Sequence, residues 1–133
     1  MWNDDYKIGI ENIDVEHQYI FSKINLIRRL KETNKLSTEN IFNALLDLKE
    51  YTIIHFSEEE EYMKEINYPK YTEHCAIHRS LENILDQRIQ EIIRFPEYFS
   101  VDEFISFISM WWSFHICNQD RKIAAYKSKL KIS

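Results

Sequence analysis

Five histidines, His17, His55, His74, His78 and His115, carry most of the chemistry this 133-residue chain can offer, and each falls on the apolar stripe of an amphipathic segment. His55 and Glu59 are four residues apart, as are His74 and His78, so each pair shares one helix face, about one turn (~5.4 Å) along the axis. His115 and Asp120 are five apart, which at ~100° per residue puts them ~140° around a regular helix. That spacing predicts a wide turn or helix break between Phe114 and Arg121. A lone histidine on an apolar face is ordinarily a hydrogen-bonded core residue. Five together, with carboxylates at helical offsets, point instead to a metal centre. Imidazole nitrogen with a minority of carboxylate suits iron, zinc, copper or nickel, not calcium or magnesium. Seven ligands exceed the four of one zinc and indicate two ions.

Four segments with apolar residues at helical spacing must position these side chains. The first is expected from about Asp14, a plausible N-cap, to Lys31, with Phe21, Ile24, Ile27 and Leu30 on one stripe; residues 1–13 form a non-helical arm. The second runs from Ser37 or Thr38 to about Ile66, the third from Tyr68-Pro69 to Arg94, and the fourth from Ser100, with Glu103 completing a capping-box pattern, towards Lys129. Short connections favour antiparallel neighbours, so the fold class is all-α, an up-down-up-down four-helix bundle, and residues 1–133 form a single domain.

Composition agrees with this. With one glycine and two prolines, the chain lacks the turn chemistry of a many-stranded sandwich or barrel. A net charge of −5 argues against nucleic acid as a partner. Cys75 and Cys117 make no disulfide framework and lack zinc-site spacing; they are read as packing residues of a cytoplasmic protein. The N-terminus lacks the apolar region of a cleaved signal, and no apolar run approaches the ~18 residues of a membrane span. Glu58, Glu60 and Glu61 around Glu59 read as a solvated face, and Arg121, Lys122, Lys127, Lys129 and Lys131 as favourable charge near a helix C-terminus.

Taken in order, Trp2, Tyr6 and Gly9, Asp14 and His17, His55-Phe56 with Glu58-Glu59 and Met63, Tyr68-Pro69, His74 with His78, and His115-Ile116 with Asp120 resemble the hemerythrin family, specifically its single-domain bacterial members, over nearly the whole chain. The resemblance implies two non-haem irons. His74, His78 and His115 would bind one and His17 and His55 the other, with Glu59, Asp120 and an oxo or hydroxo group as bridges. It further implies a non-haem diiron protein that binds dioxygen reversibly, as hydroperoxide at one five-coordinate iron, for oxygen storage, delivery or protection of oxygen-sensitive enzymes. Nitric oxide or another small ligand is a possible further partner. Positions matching the family's apolar oxygen pocket are Ile20, Phe56, Trp111, Trp112 and Ile116; Trp112 stands where the family carries a smaller aliphatic residue.

Two other readings compete. One is a diiron enzyme or sensor using the same site, an oxidase, peroxidase or nitric oxide reductase. Against it, oxygen-activating bundles of the ferritin-like kind use paired Glu-x-x-His motifs, and no Glu-x-x-His ends at any of the five histidines. The other is an iron-storage or structural zinc bundle, which metal content would distinguish.

Overall fold

Asparagine and serine, alongside the one glycine and two prolines, punctuate the helices. The computed structural model describes residues 2–132, with side chains through residue 130. Its main elements are α1 (Glu11–Glu32), α2 (Thr38–Glu65), α3 (Tyr71–Arg94), α4 (Val101–His115) and α5 (Arg121–Ile132), with no strand among the described residues. A π-helical turn, Ile116–Asp120, joins α4 to α5 as one continuous fourth rod. Met1, Ser133 and the Lys131 side chain lie outside the described residues.

Ser37 and Ser100 cap α2 and α4, their hydroxyls accepting from the backbone N–H of Asn40 and Glu103 at 3.0 and 3.2 Å. Helices α1 and α2 stop the same way. Asn34 and Asn67 take left-handed φ values of 56° and 55°, and the following N–H groups, of Lys35 and Tyr68, return to the carbonyls of Leu30 and Met63 at 2.9 Å. These paired closures satisfy carbonyls that the helix end would leave unbonded, with asparagine in glycine's usual role. The chain's one glycine, Gly9, has φ +88° where the arm turns into α1, a conformation that disfavours any side chain although no atom lies within 4 Å of a Cβ placed there.

The N-terminal expectations need correction. The arm contains a 3-10 turn at Asp4–Tyr6, and α1 begins at Glu11 rather than Asp14. Asp14 is therefore no N-cap: its carboxylate reaches back to accept from Ile8 N–H at 2.8 Å and Gly9 N–H at 3.1 Å, pinning the arm to the first turn of the helix. At the third segment, Pro69 lies in the turn before α3 and not in its first helical turn. The fourth segment continues beyond Lys129 to Ile132.

The core has two apolar parts. The larger joins Ile20, Ile24 and Ile27 of α1, Leu45 and Leu48 of α2, Leu81 and Leu85 of α3, and Phe104 and Ile108 of α4. The smaller holds Ile10, Ile13, Met63, Tyr68 and Ile123. Each fully buried Ile or Leu contributes ~1.5–3 kcal/mol, and these layers hold the four rods in register. Along α1 the sequence passes from Ile13 through His17 to Ile20, and along the fourth rod from Ile116 through Asp120 to Ile123. The polar residues therefore form a layer between the two apolar parts.

Candidate metal centre

Every rod contributes to that polar layer: His17 from α1, His55 and Glu59 from α2, His74 and His78 from α3, and His115 and Asp120 from the ends of the π turn's rod. None is more than 3% exposed. The π turn is the wide turn that the spacing from His115 to Asp120 called for. On a regular helix the carboxylate would point away from the histidine; across the turn His115 Nε2 and Asp120 Oδ1 are 3.1 Å apart.

The two carboxylates divide their oxygens between two sets of histidines. Glu59 Oε1 lies 2.9 Å from His74 Nε2 and 3.1 Å from His78 Nε2, whereas Oε2 lies 3.6 Å from His55 Nε2 and 4.0 Å from His17 Nε2. Asp120 Oδ1 is 3.1 Å from both His74 and His115, and Oδ2 is 3.1 Å from His17. Potential donor atoms of Glu59, His74, His78, His115 and Asp120 all lie within 4.8 Å of one another, and those of His17, His55 and Glu59 form a second such group.

These approaches are convergence more than pairing. Nε2 of His17, His55, His78 and His115, Oε2 of Glu59 and both Asp120 oxygens are buried without a hydrogen-bond partner. Each such atom costs ~1–3 kcal/mol if left unsatisfied. A fold that concentrates so many at one point, with nitrogens and carboxylate oxygens facing common spaces, fits cations as the missing partners.

Electrostatics among the side chains point the same way. Burial and the Asp120 charge favour protonation of Glu59, yet His74 and His78 beside it hold its carboxyl down at about 2. Burial likewise opposes ionisation of Asp120, but His115, His17 and His74 keep it well below the ordinary range. Burial lowers His55 to about 4. For His74 burial acts in the same sense, but Asp120 and Glu59 outweigh it and raise the imidazole to about 9. Two carboxylates favoured in their charged form thus sit in a buried layer with imidazoles shifted in both directions, a charge distribution that dications would complete.

Sequence reasoning missed a second set of carboxylates. Glu16 accepts from His55 Nδ1 at 2.6 Å, and Glu60 accepts from His78 Nδ1 at 2.7 Å while its carboxylate is clamped by Arg79. Both bonds leave Nε2 as the free donor atom facing the centre, the usual way a ligating histidine is oriented. The acidic run predicts a solvated face for Glu60, but its side chain turns inward while Glu58 and Glu61 stay exposed. The available signal was position: Glu16 and Glu60 each adjoin a proposed ligand in sequence.

Of the five residues expected to line an oxygen pocket, Ile20, Phe56, Trp112 and Ile116 are fully buried, and Trp111 is partly buried. Phe56 stacks on His78 with centroids 3.7 Å apart, and Trp111 stacks on His115 at 4.6 Å. The Trp112 ring lies 6.0 Å from His17 and 5.8 Å from His55. Cys75 and Cys117 are free thiols, half-buried; burial pushes the Cys75 thiol up, the opposite of a redox-sensing cysteine.

Comparison with known proteins agrees with the fold and the cluster. Residues 8–126 match the family model described as the hemerythrin HHE cation binding domain. A bacteriohemerythrin of Clostridium acetobutylicum is 32% identical over 127 residues, covering 92% of this chain and 96% of that protein. One from Stenotrophomonas maltophilia is 30% identical, covering 98% of this chain and 81% of its own. A hemerythrin subunit alpha from Lingula anatina is 32% identical over 77 residues, 58% of each chain. On this evidence the chain belongs to the hemerythrin family.

Proposed function

We propose that this protein holds two non-haem irons in the polar layer and binds dioxygen reversibly there, for oxygen storage, delivery or protection of oxygen-sensitive enzymes. The observation that carries this reading is the division of each carboxylate's two oxygens between two histidine sets, the arrangement expected of groups that bridge two cations. His74, His78 and His115 would hold one iron and His17 and His55 the other, shared by Glu59, which belongs to both donor groups, and by Asp120, whose Oδ2 reaches His17, with an oxo or hydroxo group as a further bridge. With two histidines against three, the second iron would be the one with a position left for an external ligand, and Trp112 lies near both of its histidines. When bound, the two irons supply one electron each to a ligand taken up at that position.

The chain's own residues supply the conditions for reversal. Ile20, Phe56, Trp112 and Ile116 exclude water, which would otherwise deliver the protons that drive irreversible oxidation. Phe56 and Trp111 hold His78 and His115 by stacking, and Glu16 and Glu60 fix the ring orientation of His55 and His78. No helix among the described residues is long and apolar enough to cross a membrane. Two cysteines left as free thiols accord with a reducing, cytoplasmic setting.

The test is an anaerobic optical titration of the reduced, iron-loaded protein with dioxygen, followed by removal of the gas. A visible band that grows with dioxygen and disappears on deoxygenation is expected. Prompt irreversible conversion to ferric protein would overturn the carrier reading in favour of an oxidase or peroxidase.

A further inference from the structure

A centre whose seven polar residues are at most 3% exposed must still be loaded with cations, and the surface offers two very different approaches to it. One is a crevice of about 470 Å³ that ends at His115 and is walled by Ile77, Phe107, Met110, Trp111 and Phe114, with no charged side chain in its lining. Apart from Gln119 and His115 itself, a hydrated dication meets no group there that could replace its water, and no anion to attract it. The other is a groove of about 990 Å³ between the start of α1 and the C-terminal half of α2. Its lining includes Glu11, Glu16, Glu58, Glu59, Glu61 and Glu65, faced by a single cationic side chain, Lys127.

The acidic lining alone would mean only a solvated face. Two further observations aim it inward. Glu59, fully buried and part of the groove's lining, carries an Oε2 atom with no hydrogen-bond partner, and that oxygen faces His55 and His17. Glu16, also in the lining, has one oxygen on Nδ1 of His55, the imidazole whose Nε2 faces Glu59, and Glu58 lies against the Glu16 carboxylate, so the lining carboxylates lead from the surface to His55. Among the described residues, Glu11, Glu61 and Glu65 form no ion pair with a lysine or arginine, and Glu58 is engaged by the Glu16 carboxylate and by no cationic side chain.

We propose that this groove is the loading route of the metal centre: Glu61 and Glu65 at its mouth attract hydrated ferrous ions, and Glu58 with Glu16 passes them to the Oε2 atom of Glu59. The inference rests on the reading of the polar layer as a metal centre. Carboxylate oxygens exchange readily with the ion's water ligands, while the imidazoles wait at the end of the path as the tighter, nitrogen-rich site. The groove's excess negative charge raises the local cation concentration and the encounter rate, an effect that salt suppresses. Neutral gas is left the apolar crevice, so ion and ligand need not share an entrance.

The experiment follows cobalt(II) binding to the metal-free full chain by stopped-flow absorbance, at low ionic strength and in ~0.5 M salt, where screening is nearly complete. The triple variant Glu58→Gln, Glu61→Gln, Glu65→Gln spares every proposed ligand and Glu16. It should load at least ~10-fold more slowly at low salt, lose most of the salt dependence, and reach the parent's final cobalt content. Lys127→Gln should load faster than the parent, and Met110→Gln in the crevice at the parent's rate. Parent-like loading by the triple variant, or slowing by Met110→Gln instead, would overturn the route while leaving the metal centre standing. A parent protein that retains no cobalt after gel filtration, by metal analysis, would overturn both.

Discussion

Replacing Trp112 by leucine separates the two roles an indole can have beside this centre. The side chain is fully buried, within 6.0 Å of His17 and His115, 5.8 Å of His55 and 5.4 Å of Phe56 by ring centroids. Truncating a buried tryptophan to alanine costs ~3–5 kcal/mol, and leucine retains enough of the apolar contact to bring that to ~2 kcal/mol. Against this, the indole Nε1–H is buried without a partner, and removing an unsatisfied donor recovers ~1–3 kcal/mol. The two terms nearly cancel, so the variant should lose no more than ~1 kcal/mol, a fall in Tm of ~3–5 °C. The functional effect should be larger. Leucine leaves space next to His17 and His55 that water can enter, and a barrier lowered by ~1.4 kcal/mol would speed conversion of the oxygenated protein to the ferric form ~10-fold. Urea unfolding of the metal-free protein and decay of the oxygenated band measure the two quantities separately. A stability loss near 4 kcal/mol with an unchanged autoxidation rate would refute the reasoning, because the indole would then be core filler and not a water barrier.

Three further outcomes follow from the same geometry. Glu60→Gln removes the anion that orients His78 and should weaken metal retention ~10–100-fold in competition with a chelator, while circular dichroism stays that of the parent; equal retention would show that stacking on Phe56 orients the ring unaided. In the metal-free protein at pH 7, His74, raised to about 9, carries a proton that a ligated metal must displace, whereas His55, lowered to about 4, carries none. Loading should therefore release at least about one proton per chain, and affinity should fall as pH falls, which an indicator dye and titrations at several pH values can read; proton uptake would contradict the histidine set. Leu48→Ala, fully buried in the larger apolar part, should cost ~2–5 kcal/mol in denaturant unfolding yet leave the metal content unchanged, and a loss of metal would show that the two layers are not independent.

Much of this was legible in the sequence because helical periodicity fixes faces. The four rods follow from apolar spacing and the near absence of glycine and proline, and the five-residue gap between His115 and Asp120 predicts the wide turn that the π turn supplies. Periodicity says little about ends. Asp14 has the residue type of an N-cap, but its carboxylate is used on Ile8 and Gly9 N–H one turn earlier, a tertiary choice that local propensity does not encode. Likewise Asn34 and Asn67 could be any polar loop residues until their left-handed backbones are seen. Glu16 and Glu60 were hidden for another reason. A carboxylate in an acidic run has the same sequence signal whether it faces water or the Nδ1 of a neighbouring helix's histidine, and only packing of α1 and α3 against α2 distinguishes them.

Anomalous diffraction at the iron absorption edge, from crystals of the iron-loaded protein, tests most directly whether two cations share Glu59 and Asp120. The expected map has two iron peaks per chain, one among His74, His78 and His115, the other between His17 and His55, each touched by both carboxylates. A single peak, or two peaks with neither carboxylate shared, would contradict it.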